Sequence, residues 1–431
     1  MSGDTREVVT ENRRGPPELG LFIIWENARD LQDRILSDMR SRFELVRAYE
    51  VHWTPALVTR NFERFYSDLD VRGVYHVLNK GAGPFTAVTV LDPHPSFEDR
   101  MTSRGSRTVN ARFLDAKLQY RAWTSGLEVH CGETSWETNR DLTMLLGIDA
   151  QSYLDTIEEH RDKEIARLDR DLTGTQGWRS TGELFGALNH AVMYAVMRDS
   201  ELLPGFRSLQ GQREIELMTD EYHALHTILN ARPLLRAAPH GGKFRVSVGA
   251  SHIEVGIRSV GDQYYDPRWA RELLATRALD SRGFYRLSDR DYFETLAYHA
   301  IVHEPALSNE AKDVLSGIAA KLGTDSWTRA ALDDPRKVKT LLDQLLQERG
   351  YSYVRPLDAT VFYNSQFLGS RRPTVREQTA GLRKWLFAMG RRLTGPIIGG
   401  YLRARDRALL RAPWVRTVKR FVTSNPFARS E

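Results

Sequence analysis

Cysteine is almost absent from this sequence: its 431 residues include one, Cys131. That excludes an internal disulfide framework and a zinc site built from several cysteines, and it suits a reducing compartment. Long apolar runs are missing too. No stretch approaches the roughly 18 uninterrupted apolar residues that a spanning helix needs. Met1–Gly20 is polar, without the apolar centre of a signal peptide. Together these absences set the expectation of a cytoplasmic protein. No internal repeat or low-complexity tract is visible. A content of 41% hydrophobic and 27% charged residues belongs to a globular chain, not a fibrous or disordered one. The length predicts two or three domains.

The net charge of +5 is small but unevenly spread. Residues 371–431 hold 15 Lys/Arg against 3 Asp/Glu, whereas the first 370 hold 46 against 53. The body is therefore acidic and the tail basic, which disfavours nucleic acid as the partner of the body. Leu382, Trp385, Leu386, Met389 and Leu393 recur at helical spacing among Arg and Lys. The segment 366–431 reads as a basic amphipathic tail suited to an anionic membrane surface, making the protein peripheral at the inner face of the membrane. A basic helix packed on the acidic body of its own chain is the alternative.

Residues 1–18 show no periodicity and are expected to be disordered. From 19 to 147, strand and helix signals alternate. Leu21–Trp25 is a buried-strand run, Glu44–Trp53 alternates, Thr54-Pro55 opens a helix, and Phe85–Leu91 is a third strand. Helices are expected over Val109–Trp123 and Ser135–Leu146. A charged helical connector is expected over 148–176. A second unit over 177–365 carries a strand at Arg213–Met218 and a hairpin around Gly249, then a mostly helical half from Pro267.

Chemistry concentrates in two places. In Glu214-Ile215-Glu216-Leu217 the period of two sends both carboxylates to one strand face. Glu254 stands between apolar neighbours on a later strand. Three such carboxylates suit a Mg²⁺ (or Mn²⁺) ion beside nucleotide phosphates; a solvated acidic strand face is the alternative. His299 and His303 lie four apart on a helix, either as two ligands or as interior hydrogen-bonded histidines. Asp262 is a candidate substrate contact. The second place is Val129-His130-Cys131-Gly132-Glu133-Thr134-Ser135-Trp136-Glu137. Its imidazole suits nucleophilic work, while Cys131 points to the other side of the strand.

The text from Gly177 to Asn309 resembles bacterial proteins of the polymerase-β-like nucleotidyltransferase superfamily. Its carriers are the carboxylate pair, Asn230-Ala231, Val260-Gly261-Asp262-Gln263-Tyr264-Tyr265-Asp266 and Tyr298-His299-Ala300-Ile301-Val302-His303-Glu304-Pro305. That resemblance implies metal binding by Glu214, Glu216 and Glu254, a nucleoside triphosphate as substrate, and transfer of a nucleotidyl or phospho-group, extending to surface-polysaccharide or lipid-linked acceptors. The segment around His130 resembles nucleoside diphosphate kinase, as does the order of elements before it. This implies phosphotransfer through His130, with Glu137 orienting the imidazole. Trp25 stands where those kinases have a phosphate-contacting lysine. Arg100, Arg104, Lys117 and Arg121, with Arg213 beside the first carboxylate, are the candidate phosphate contacts.

The expected architecture is thus α+β: a ferredoxin-like α/β sandwich followed by a nucleotidyltransferase-like domain with a helical C-terminal half. A nucleotide-binding scaffold without turnover is the non-enzymatic alternative.

Overall fold

The computed structural model describes residues 16–67, 73–102, 105–124, 126–161, 164–198, 203, 214–234, 242–358 and 361–367. The chain is mixed α+β. Residues 1–367 form one compact unit. The amphipathic tail, Arg104 and Arg213 lie outside the described residues, as does most of the expected disordered N-terminus.

The first half runs β1 (Glu18–Ile24), α1 (Gln32–Arg42), β2 (Glu44–His52), α2 (Val58–Tyr66), α3 (Gly73–Lys80) and β3 (Phe85–Asp92). It continues with β4 (Phe97–Thr102), β5 (Gly105–Asn110), α4 (Ala111–Trp123), β6 (Val129–Cys131) and α5 (Ser135–Leu145). The short helices α6 (Ala150–Asp155) and α7 (Ile157–His160) lead to β7 (Ile165–Asp169). The sheet order is β6-β1-β3-β2-β7. Every pair is antiparallel except β2 with β7, which run parallel. Strand β1, between β6 and β3, is buried on both faces. Leu21 and Ile23 enter one core, while Phe22 and Ile24 enter another with Phe113 and Tyr120 of α4. That two-sided burial is why β1 reads as an unbroken apolar run.

Two segments differ from the sequence expectation. The connector is not wholly helical: Ile165–Asp169 adds a strand to the edge of β2. Its side chains are mostly exposed, so no apolar alternation marks it. The β4–β5 hairpin is likewise a largely solvated ribbon.

The second half runs α8 (Thr181–Ala191), β8 (Tyr194–Arg198), β9 (Glu214–Thr219), α9 (Tyr222–Ile228), β10 (Arg232–Pro233), β11 (Gly242–Val248) and β12 (Ser251–Ser259). Then come α10 (Pro267–Ala275), β13 (Ala278–Leu279), β14 (Tyr285–Arg286), α11 (Asp289–Tyr298), α12 (Asn309–Lys321), α13 (Arg329–Leu332) and α14 (Pro335–Arg349). Its sheet order is β10-β11-β12-β9-β8-β14-β13. Ile215 and Leu217 of β9, with Ile253, Val255 and Ile257 of β12, join the core that also holds Leu21 and Trp25 of the first half. The helices from α10 onward close a separate core around Tyr264, Trp269, Tyr298 and Leu342.

The halves are tied by a buried cation. Arg64 of α2 donates to the carbonyls of Thr227 (3.1 Å) and Ile228 (2.7 Å) and to Thr175 Oγ1 (2.6 Å). A guanidinium has a fork of donors and loses little hydration on burial, which suits it to satisfying the free carbonyls at the end of α9.

Candidate functional site

Strand β6 places His130 at the end of the first sheet, and α5 returns beneath it. Thr134 caps α5 through its hydroxyl, which accepts from the Glu137 amide (3.3 Å). Gly132 makes the return possible: a Cβ there would sit 2.9 Å from the Thr138 amide nitrogen. One helical turn beyond Glu137, Asp141 points at the imidazole. His130 Nε2 lies 2.7 Å from Asp141 Oδ2. The other carboxylate oxygen, Oδ1, accepts from Arg140 Nη2 at 2.8 Å and Nε at 3.1 Å. The rings of Phe65 and Tyr66 stand edge-on to the imidazole, with centroids at 5.2 and 5.8 Å.

Burial pushes the His130 pKa down, against the upward pull of Asp141, so the ring is neutral at pH 7. Burial alone would raise Asp141, but the Arg140 guanidinium and His130 outweigh it and hold the carboxyl below its usual range. A neutral ring facing a carboxylate puts its one N–H on Nε2 and leaves the lone pair on Nδ1. No described residue hydrogen-bonds Nδ1.

Glu137 does not orient His130, as the kinase resemblance implied. Its carboxylate closes the start of α5, accepting from the Glu133 amide (2.7 Å) and from Arg107 Nη1 (2.8 Å). This resembles a capping box, with the amide of Glu133, one residue before the N-cap, in place of the N-cap amide. Asp141 takes the orienting place. Its role is hidden in the sequence because it lies eleven residues from His130. The available signal was helical spacing: Thr138, Asp141 and Leu145 share the buried face of α5.

The cations near this site are engaged. Lys117 is buried and donates to Cys131 O (3.2 Å) and Glu133 Oε1 (2.8 Å). Arg121 Nε donates to Val129 O (2.9 Å). Arg100 pairs with Glu98 and Asp115 on the exposed ribbon. Burial raises the Cys131 thiol far above its usual range, leaving it protonated.

In the second half, β9 and β12 run parallel with Glu254 opposite Glu214 and Gly256 opposite Glu216. Ile215, Leu217, Val255 and Ile257 take the core face, so the three carboxylates share the other one. Arg198 lies opposite Glu216 on β8. Gly256 leaves room for Glu214: a Cβ there would lie 2.2 Å from Glu214 Oε1. Glu214 pairs with Lys243.

Glu216 is held by two guanidiniums. Arg198 Nε donates to Oε2 at 2.8 Å and Arg258 Nε to Oε1 at 2.9 Å, and Arg198 Nη2 also contacts Oε2. Arg258 stacks on the Tyr264 ring, 4.0 Å from its centroid. Burial would raise Glu216, but Arg198 and Arg258 hold its carboxyl well below the usual range. This donor set does not fit a divalent cation. Both oxygens of the central carboxylate are occupied, and a Mg²⁺ ion there would face two fixed positive charges. Among the described residues, no group of three or more His, Cys, Asp and Glu side chains is placed to hold a metal ion.

Nor are the paired histidines placed as metal ligands: both rings are turned onto groups of the protein itself. The helix widens into a π-turn over His299–His303. His303 Nδ1 and Nε2 face the carbonyls of Phe362 (3.2 Å) and Tyr264 (3.0 Å). His299 Nδ1 meets Tyr264 Oη at 2.6 Å, and Nε2 meets Glu304 Oε1 at 3.2 Å. Asp262 staples a turn, accepting from the Tyr264 amide (2.8 Å) and the Ser259 amide (3.2 Å). Burial raises its pKa to about 6.

These environments set an acid response. Burial lowers the His226 and His303 pKa values to about 4 and that of His299 to about 3. A histidine depressed in the folded state stabilises it fully above the unfolded pKa of about 6.5, and that contribution falls with pH. Each histidine depressed to about 4 loses on the order of 3 kcal/mol across that window. Glu216 adds a second loss below the ordinary carboxylate range. Urea midpoints measured from pH 7 to pH 4 should therefore fall monotonically; a midpoint unchanged at pH 4.5 would contradict the neutral buried histidines.

No helix among the described residues is long and apolar enough to cross a membrane. A scan against protein-family models finds no match to this chain, and a search of curated proteins finds none either.

Proposed function

We propose that this chain is a nucleotide-dependent phosphotransferase acting through His130. The observation that carries the reading is the 2.7 Å contact between His130 Nε2 and a buried carboxylate that Arg140 fixes on its other side. The order β6-β1-β3-β2, all antiparallel, with α1 and α4 in the crossovers, supports a ferredoxin-like sandwich similar to nucleoside diphosphate kinase.

In the step proposed, the Nδ1 lone pair attacks the terminal phosphorus of a nucleoside triphosphate. An N–P bond forms, the P–O bond to the β-phosphate breaks, and the nucleoside diphosphate leaves with the electron pair. Asp141 takes no proton; it stabilises the positive charge that develops on the ring. Passing the phosphoryl group to an acceptor diphosphate restores the lone pair. With γ-labelled ATP, acid-labile, base-stable label should appear on the wild type. Asp141→Asn offers an amide N–H and favours the wrong tautomer, so labelling should slow about a hundredfold or more. An unchanged rate in that variant would remove Asp141 from the mechanism.

For the second half, the observation of two guanidiniums on Glu216 favours the non-catalytic alternative, a nucleotide- or phosphate-binding role without metal-directed nucleotidyl transfer. The basic tail is proposed to hold the protein at an anionic membrane surface.

A further inference from the structure

Glu216 is held by two arginines rather than by a metal, and the inference drawn from this rests on the phosphate-binding reading of the second half and is independent of His130 chemistry. Arg198, Glu216 and Arg258 form a cluster of two positive charges and one negative on the polar face of the sheet, which also carries Glu254 and the Glu214–Lys243 pair. The guanidinium side chains are 17% and 18% exposed, and Glu216 9%. Each arginine spends its Nε on Glu216. Arg198 Nη1 and both terminal nitrogens of Arg258 have no hydrogen-bond partner among the described residues. Tyr264 fixes both arginines: its ring underlies Arg258, and its hydroxyl accepts from Arg198 Nη2 at 3.4 Å. Two oriented guanidinium forks with unused N–H groups match the oxygens of a phosphoryl group. Their fixed charge supplies what a divalent cation would otherwise bring.

We infer that Arg198 and Arg258 form a metal-independent binding site for a phosphate-bearing ligand, with Glu216 as the positioning residue that aligns the two guanidiniums. The site binds the anion through charge-assisted hydrogen bonds and involves no bond-making.

The test is calorimetric titration of the full chain with inorganic pyrophosphate, in EDTA and then with Mg²⁺. Saturable binding is expected in EDTA, and Mg²⁺ should not strengthen it. Arg258→Lys keeps the charge but loses the fork, and should weaken binding about tenfold while the unfolding transition stays cooperative. Arg198→Lys provides the same reading from the other arginine if the first variant folds poorly. His130→Ala should bind pyrophosphate as the wild type does, which separates this site from the phosphotransfer proposal. Absence of binding by folded wild type in EDTA would overturn the inference. So would binding that requires Mg²⁺, or binding that both lysine variants leave unchanged, which would place the anion elsewhere on the chain.

Discussion

Glu216→Ala is expected to destabilise the folded chain by about 3–5 kcal/mol at pH 7, the cost typical of breaking a buried ion pair from one side. The carboxylate sits between Arg198 and Arg258 and satisfies an Nε–H of each. Removing it leaves two like charges facing one another without a counter-ion, in a place where water reaches them poorly. The competing metal reading predicts the opposite sign. In an apo cluster of carboxylates, deleting one relieves repulsion, and stability holds or rises. Urea unfolding of the two chains thus separates the readings directly. Glu216→Gln, which keeps one carbonyl acceptor, should fall between wild type and alanine.

The second large effect is expected at Trp25. Its indole is 1% exposed and is surrounded by Trp53, Phe62, Phe65, Tyr66 and Phe85, with ring centroids between 4.6 and 6.3 Å. Trp25→Ala removes the centre of that cluster and should cost about 3–5 kcal/mol, the range for deleting a large buried aromatic. Phe65 and Tyr66 also flank His130, so the same variant should loosen the imidazole's surroundings. Its histidine resonance should move toward the pKa of an exposed ring in an NMR titration. A wild-type urea midpoint would contradict the packing argument. Trp25 is thus part of the core, and Lys117 and Arg121 bond the backbone of β6 or its flank.

What could be read from sequence follows the physics of each element. β9 and β12 alternate because one face enters the core and the other carries charge, so period two located both strands and placed the three glutamates together. β1 was legible as a continuous apolar run because helices cover both of its faces. β7 and the β4–β5 ribbon were not legible, since neither buries an alternating face. At the site, His130 stood out through its local text. Asp141 did not, because its role depends on α5 folding back under β6. The arginine clasp on Glu216 was invisible for a related reason. It depends on β8 lying beside β9, and adjacency between strands is set by topology rather than by any local pattern.

His130 phosphorylation is the central claim, and the position of the phosphoryl group tests it most directly. After reaction with γ-labelled ATP, NMR of ¹⁵N-histidine-labelled protein distinguishes an Nδ1 from an Nε2 phosphoramidate. Because Asp141 occupies Nε2, phosphate is expected on Nδ1 of His130 and none in His130→Ala. Phosphate on Nε2, or no phosphohistidine on folded wild type, would contradict it.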